Sequence, residues 1–185
     1  MITDKEKEIF KLLDDEQRHS EAFGLIMELY SKPIYWHVRR LVIKHEDAED
    51  VMQECFINVY RSIDGFKRES SLKTWIYRIA TNEAIRYLKR QRLDVSSYDD
   101  KDRLVNLFES EMEIDFESAE AILQKAILSL PEKQRVVFNL RYYDELSYEQ
   151  IASITDSSVS TLKTNYHYAS SKIKEYVQNN IETKL

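Results

Sequence analysis

Glycine and proline are scarce in this sequence, which has only two of each among its 185 residues. Both residues concentrate in turns, and a β-rich fold needs many turns. Leu, Ile, Ala, Glu and Lys are plentiful and suit helices. No segment shows the alternation of apolar and polar residues that is typical of a strand. We therefore predict an all-α fold.

Cysteine is also scarce, and Cys55 is the only one in the sequence. It has no partner for an intrachain disulfide, and no cluster of cysteine and histidine has the spacing of a zinc site. The first residues are charged rather than apolar, and no run approaches the length of a membrane span. We expect a cytoplasmic protein that carries no metal or other cofactor.

Catalytic signatures are missing as well. The sequence has no glycine-rich phosphate loop and no pairing of a nucleophile with a base. His167 stands without the neighbouring residues that would make it a metal ligand or a general base. We expect that the chain is not an enzyme and that it has no small-molecule substrate.

The net charge of −6 is distributed unevenly along the chain. Residues 61–92 carry nine basic against three acidic residues, whereas residues 93–120 carry two against ten. A basic block inside an acidic protein can bind phosphates locally, and the acidic remainder limits indiscriminate binding. The alternative is a solvated helix end where the helix dipole favours cations.

The basic block also carries aromatic residues. Helical spacing puts Ile76, Ala80 and Ala84 on an inward face and leaves side chains four residues apart on one exposed line. Cations neutralise phosphate and rings stack on unpaired bases, so the block suits single-stranded or opened nucleic acid. The rings could instead belong to the core, which is the favoured interpretation for Trp75. The candidate contacts are Lys67, Arg68, Lys73, Trp75, Tyr77, Arg78, Asn82, Arg86 and Arg90.

Near the carboxyl terminus, Ser147 and Gln150 have the spacing of a capping box, which predicts a helix start at Ser147. After a polar interruption at 155–158, apolar residues recur at steps of three and four. Two helices joined by a tight turn, the second with a polar outer face, form a helix-turn-helix that can read a major groove. An ordinary helical hairpin fits the spacing equally well. The polar face presents Ser160, Thr161, Lys163, Thr164, Asn165 and His167.

The predicted helix over 47–63 is strongly acidic in its first turns, where the dipole favours negative charge. An acidic helix beside a basic block suits a protein partner better than DNA. Two further signals divide the chain: Pro33 predicts a helix start or kink, and Asp64-Gly65 predicts a break. We expect domains at 1–93 and 118–185, joined by an acidic linker at 94–117.

In order and spacing, these features resemble the extracytoplasmic-function (ECF) sigma factors of bacterial RNA polymerase. Residues 47–56 look like the family's polymerase-binding segment, and 66–92 look like its promoter-melting segment. Residues 130–135 and 146–152 look like the start of its C-terminal domain. The resemblance implies two small helical domains, numbered two and four in the family, with a helix-turn-helix in the second.

The resemblance also implies a function, which is to bind core RNA polymerase and direct promoter-specific initiation. The first domain would melt the minus-ten element through the basic block, and the second would read the minus-thirty-five duplex through the polar face. The partners would be core polymerase, promoter DNA and an anti-sigma factor, often membrane-anchored. The polymerase contacts would be Asp50, Gln53, Glu54 and Asn58.

Some positions depart from the family pattern, since Asp156 and Ser160 stand where many relatives have glycine and Asn165 stands where many have arginine. The promoter sequence is therefore not transferable. The alternative function is a transcriptional regulator whose N-terminal half senses a ligand or protein. The basic aromatic block argues against that alternative, because a sensor has no need of it.

Overall fold

The computed structural model of the chain describes residues 4–93, 100–111 and 118–182, and within these ranges it contains helices and no strand. The all-α prediction is confirmed. The α-helices are α1 (Asp4–Leu13), α2 (His19–Val42), α3 (His45–Ser62), α4 (Leu72–Leu93), α5 (Asp100–Glu111), α6 (Ala119–Leu128), α7 (Glu132–Tyr142), α8 (Tyr148–Thr155) and α9 (Val159–Glu182).

The N-terminal half is built around α2, which packs against α1, α3 and α4. In α3 the apolar residues recur at helical spacing, so they share one face of the helix and are buried in the core. These residues are Ala48, Val51, Cys55, Phe56 and Val59. A short 3₁₀ turn at Ile63–Gly65 ends α3, as the Asp64-Gly65 signal predicted. Of the two alternatives predicted at Pro33, the helix start is wrong, because α2 runs continuously through that residue, and the kink stays a prediction. The packing of α2 along its length outweighs the one backbone hydrogen bond that proline cannot donate.

The expected linker contains a helix that the sequence analysis missed. In α5, Leu104 and Phe108 are buried against Ile43 of the N-terminal half and Leu128 of α6. Those two apolar residues lie four apart, so they share one face of the helix. The remaining parts of the predicted linker, residues 94–99 and 112–117, lie outside the described residues.

The C-terminal half consists of α6 to α9, and side chains cap the starts of α6, α8 and α9. The Ser118 hydroxyl accepts from the Ala121 backbone at the start of α6. The predicted capping box is present at α8, with the Ser147 hydroxyl accepting from the Gln150 backbone and the Gln150 amide oxygen accepting from the Ser147 backbone. Each cap satisfies backbone groups that a helix end otherwise leaves unpaired.

The two halves pack directly on each other. Helix α4 contacts α8, and α2 contacts α7. Val136, Leu140 and Ile151 of the C-terminal half belong to the same apolar cluster as Ile34 and Ile76 of the N-terminal half. Because burial of apolar surface is the main favourable term in folding, this shared cluster holds the halves together.

Candidate nucleic-acid interface

The basic line predicted on α4 is a feature of the folded surface. Arg78, Asn82, Arg86 and Arg90 are exposed. The opposite face is buried through Ile76, Ala80, Ala84 and Leu88. The spacing of four that turned the apolar face inward therefore aligns the cations outward.

Arg86 is held in place by a neighbouring acid. Its Nη1 donates to both carboxylate oxygens of Glu83 at 2.8 Å. The Glu83 side chain is buried and also accepts from Asn58 Nδ2 at 3.0 Å. Glu83 thus joins α3 to the basic line, a role that sequence spacing did not reveal.

Three further candidate DNA contacts lie in the loop before α4 and in the first turn of that helix. Lys67 and Arg68 are exposed in the loop before α4, where Arg68 pairs with Asp14. Trp75 is half-buried, and its ring packs on Phe66 with 5.0 Å between centroids. The two cations of the loop thus lie on the surface, and the core interpretation of Trp75 fits its packing.

Tyr77 and Lys73 lie against the C-terminal half. Tyr77 is only 2% exposed. Burial raises the pKa of its phenol, and the negative charge of Asp144 raises it further. Lys73 Nζ donates to the Asp144 backbone oxygen at 3.1 Å. The prediction that the Tyr77 ring stacks on a base is therefore wrong for this arrangement, because the ring is buried and packs against His37.

The C-terminal half has the geometry of a helix-turn-helix. Asp156 ends α8 in the left-handed conformation, with φ 51° and ψ 40°. An aspartate tolerates that conformation, so the turn forms without glycine. The Ser158 hydroxyl accepts from the Thr161 backbone at 3.1 Å and caps α9. Leu162 of α9 is fully buried and belongs to the same apolar cluster as Ile151 and Ile154 of α8.

The polar face predicted on α9 is present. Asn165 is half-buried, and the other five candidates are exposed: Ser160, Thr161, Lys163, Thr164 and His167. Thr164 donates to the Ser160 carbonyl at 3.1 Å, so its hydroxyl is already engaged with the helix. The face offers hydrogen-bonding groups and one cation, which is the chemistry that base edges require.

A second surface lies on α3, away from the C-terminal half. Asp50, Gln53 and Glu54 are exposed, whereas Asn58 is half-buried and bonded to Glu83. An apolar groove of about 670 Å³ runs beside them. Sequence reasoning found the acids but missed this groove, whose signal was the apolar spacing shared by α2 and α3. Its lining includes Phe23, Met27, Met52, Phe56 and Tyr60.

Residues 4–93, 100–111 and 118–182 contain neither a candidate metal site nor a candidate membrane span. Within these ranges no group of three or more His, Cys, Asp or Glu side chains is placed to hold a metal ion. None of the helices there combines the length and the apolar character needed to cross a membrane.

Comparison with known proteins identifies both halves. Residues 26–93 match the family model Sigma-70 region 2. Residues 120–173 match Sigma-70, region 4. The ECF RNA polymerase sigma-E factor of Haemophilus influenzae is 34% identical over 173 residues, covering 88% of this chain and 91% of that protein. The sigma-E factor of Escherichia coli is 34% identical over 168 residues, covering 85% and 87%.

Solved structures share the fold. CnrH, in complex with the cytosolic domain of CnrY, superposes with a TM-score of 0.67 at 18% identity and covers 92% of this chain and 95% of its own. The sigma factor RpoE of Bartonella quintana, in complex with the anti-sigma factor NepR, gives a TM-score of 0.65 at 22% identity, covering 84% and 96%. The chain is a member of the ECF sigma factors, the proteins that direct RNA polymerase to promoters.

Proposed function

We propose that the N-terminal half of this sigma factor opens the minus-ten element through the exposed line on α4. The observation that carries the proposal is the alignment of Arg78, Arg86 and Arg90 around one neutral amide, Asn82. Guanidinium groups hold a phosphate backbone without regard to sequence, whereas an amide can read a base edge. Lys67 and Arg68, exposed just before the helix, extend the positive track.

The proposal assigns duplex recognition to the C-terminal half. The polar face of α9 would read the minus-thirty-five element in the major groove, with Lys163, Thr164, Asn165 and His167 as the main contacts. Residues 121–185 carry eight basic and seven acidic residues, so they neutralise few phosphates. Affinity for the duplex would therefore depend on tethering to polymerase, which raises the effective concentration of this half at the promoter.

Docking to core polymerase is assigned to α3. The support is the combination of exposed acids at Asp50 and Glu54 with the adjacent apolar groove. A protein interface combines an apolar centre with a polar rim, and this surface has both. Residues 1–93 and 118–185 would then act as the two functional domains, and 94–117 as their connection.

Two further points follow from the same proposal. CnrH was solved in complex with the cytosolic domain of CnrY, and the Bartonella RpoE was solved in complex with the anti-sigma factor NepR. By analogy, we expect an anti-sigma partner for this chain. The work of a sigma factor is non-enzymatic and takes place in the cytoplasm, where the polymerase and the promoter are.

The test is permanganate footprinting of promoter complexes formed with reconstituted polymerase. Asn82→Ala should change discrimination at one minus-ten position by about 1–3 kcal/mol, the value of a good paired base contact. Arg86→Gln should weaken opening at all promoters and lower its salt dependence. Lys11→Ala, which removes an exposed cation from α1, is the control. Normal footprints with both α4 variants would refute the assignment of the basic line.

A further inference from the structure

The loop between α3 and α4 lies against the end of α1, and Arg68 holds it there. Arg68 Nη2 donates to Asp14 Oδ1 at 2.5 Å and to the Phe10 carbonyl oxygen at 3.4 Å. Its guanidinium lies over the Phe10 ring, 5.0 Å from the ring centroid. The Phe10 ring also stacks on Phe66, with 6.2 Å between centroids. One cation and one ring of the loop are therefore fixed to the same end of α1.

A second anchor holds the turn where the loop begins. His19 Nδ1 lies 2.9 Å from Asp64 Oδ1, and its Nε2 lies 3.1 Å from the Leu13 carbonyl oxygen. His19 is the first residue of α2, and Asp64 belongs to the 3₁₀ turn after α3. The imidazole thus joins the end of α1, the start of α2 and the turn that leads into the loop.

Helix α1 is itself fixed on the body of the N-terminal half. Ile9 is fully buried in the apolar core. The buried Tyr30 hydroxyl of α2 donates to Glu6 Oε1 of α1 at 2.9 Å. A loop that is held by α1 is therefore held by the whole half. The match to Sigma-70 region 2 begins at residue 26, so the anchors at Asp14 and His19 come from the part of the chain before that region.

The backbone of Arg68 lies in the left-handed region, with φ 58°. Residues with a side chain rarely adopt this conformation, and it persists where surrounding contacts fix it, often at functional sites. The pair with Asp14 is solvated on both sides, since Arg68 is 46% and Asp14 65% exposed. Such a pair adds little to overall stability. Its effect is local, because it fixes the conformation of the loop.

We propose that Arg68 is a positioning residue for promoter opening, whose pair with Asp14 holds the loop at 66–71 so that Lys67 and the start of α4 are presented to the DNA strand. The inference rests on the proposed function, which assigns the loop and α4 to the minus-ten element. It narrows the phosphate contact of the loop to Lys67, because Arg68 places its charge against a carboxylate. A loop that is already ordered need not be ordered when DNA binds.

Charge reversal distinguishes positioning from a direct phosphate contact. Asp14→Arg places a second cation beside Arg68, so it should displace the loop from α1 and slow opening of the minus-ten element by about fivefold. A positive track alone predicts the opposite sign, because the variant adds a cation near the DNA. Arg68→Asp should slow opening by a similar factor. Asp14→Arg combined with Arg68→Asp restores the pair in reverse and should return opening to within about twofold of wild type.

Opening is measured by permanganate footprinting of promoter complexes with reconstituted polymerase. Glu8→Arg makes the same change of charge at an exposed position of α1, two residues from Phe10 and so on another face of the helix, and it should not slow opening. Co-elution with core polymerase should be unchanged in every variant, which excludes loss of folded protein as the cause.

A second readout reports on the loop without DNA. In a Trp36→Phe background, Trp75 is the only tryptophan of the chain. Its ring packs on Phe66 of the loop, with 5.0 Å between centroids. Acrylamide quenching of its fluorescence should therefore increase when either charge is reversed, and it should return toward the wild-type level in the double variant.

The outcomes separate this inference from the proposed function. Slower opening and greater quenching in both single variants, with recovery of both in the double variant, would support the inference. Slow opening in Arg68→Asp that the double variant does not recover would overturn it and make Arg68 a direct phosphate contact. Opening or quenching that stays at the wild-type level in either single variant would overturn it as well. The proposed function of α4 is decided separately by Asn82→Ala and Arg86→Gln, which leave the loop unchanged.

Discussion

Replacing Glu83 by glutamine removes the charge that joins helix α3 to the basic line on α4. The buried carboxylate accepts from Asn58 at 3.0 Å and from Arg86 at 2.8 Å. Glutamine keeps the size of the side chain and one acceptor oxygen. It places an N–H₂ group where the second oxygen was, so Arg86 keeps one of its two acceptors and meets a donor in place of the other.

The loss of stability expected for Glu83→Gln depends on how far solvent reaches the two partners of the carboxylate. The Arg86 side chain is 61% exposed, so solvent screens its ion pair to about 0.5 kcal/mol. The bond from Asn58 changes from a charged to a neutral acceptor, which costs about 1 kcal/mol. We therefore expect Glu83→Gln to lower the free energy of unfolding by about 1–2 kcal/mol.

Urea unfolding of four proteins measures both contributions: wild type, Glu83→Gln, Arg86→Gln and the double variant. The coupling energy between the two positions should stay below about 1 kcal/mol, because the pair is largely solvated. Glu69→Gln, an exposed acid just before α4, is the control and should be neutral. A wild-type stability for Glu83→Gln, or a coupling energy above about 2 kcal/mol, would refute this reasoning.

Three further predictions concern separate parts of the molecule. Ser147→Ala removes the hydroxyl that caps α8 and should lower the unfolding free energy by about 1 kcal/mol, measured as a fall in Tm of about 2–4 °C; an unchanged Tm would contradict the cap. Asp50→Lys with Glu54→Lys should abolish co-elution with core polymerase while leaving the circular dichroism spectrum intact, and retained co-elution would exclude α3 as the docking surface. Burial raises the pKa of the Cys55 thiol to about 12. Because only the thiolate reacts, alkylation of the native protein at pH 8 should be slow and should accelerate as pH rises toward 12 or on unfolding; fast alkylation at pH 8 would contradict the burial of this thiol.

Local features of the site were predictable because they depend on neighbours in sequence. The capping box at Ser147 and Gln150 satisfies helix-end groups three residues apart, so its spacing is enough to locate it. The basic line on α4 follows from the helical repeat alone, since the apolar residues must face the core. The turn at Asp156 follows from the tolerance of aspartate for a left-handed backbone.

The features that were missed depend on long-range packing. Helix α5 has only one short apolar face, and burial against Ile43 and Leu128 stabilises it more than its own sequence does. Asp144 meets His37 from 107 residues away in the chain, a separation that no spacing rule covers. Pro33 shows the reverse case, in which tertiary packing overrides a local signal for a helix boundary.

Runoff transcription with reconstituted polymerase tests the central claim most directly, namely that this sigma factor opens promoters through the basic line on α4. The comparison uses one promoter as intact duplex and as a template already melted at the minus-ten element. Arg78→Gln with Arg86→Gln should lose most transcription from the duplex and recover it on the melted template, whereas Lys11→Ala should resemble wild type on both. Full activity of the α4 variant on the intact duplex would contradict the account.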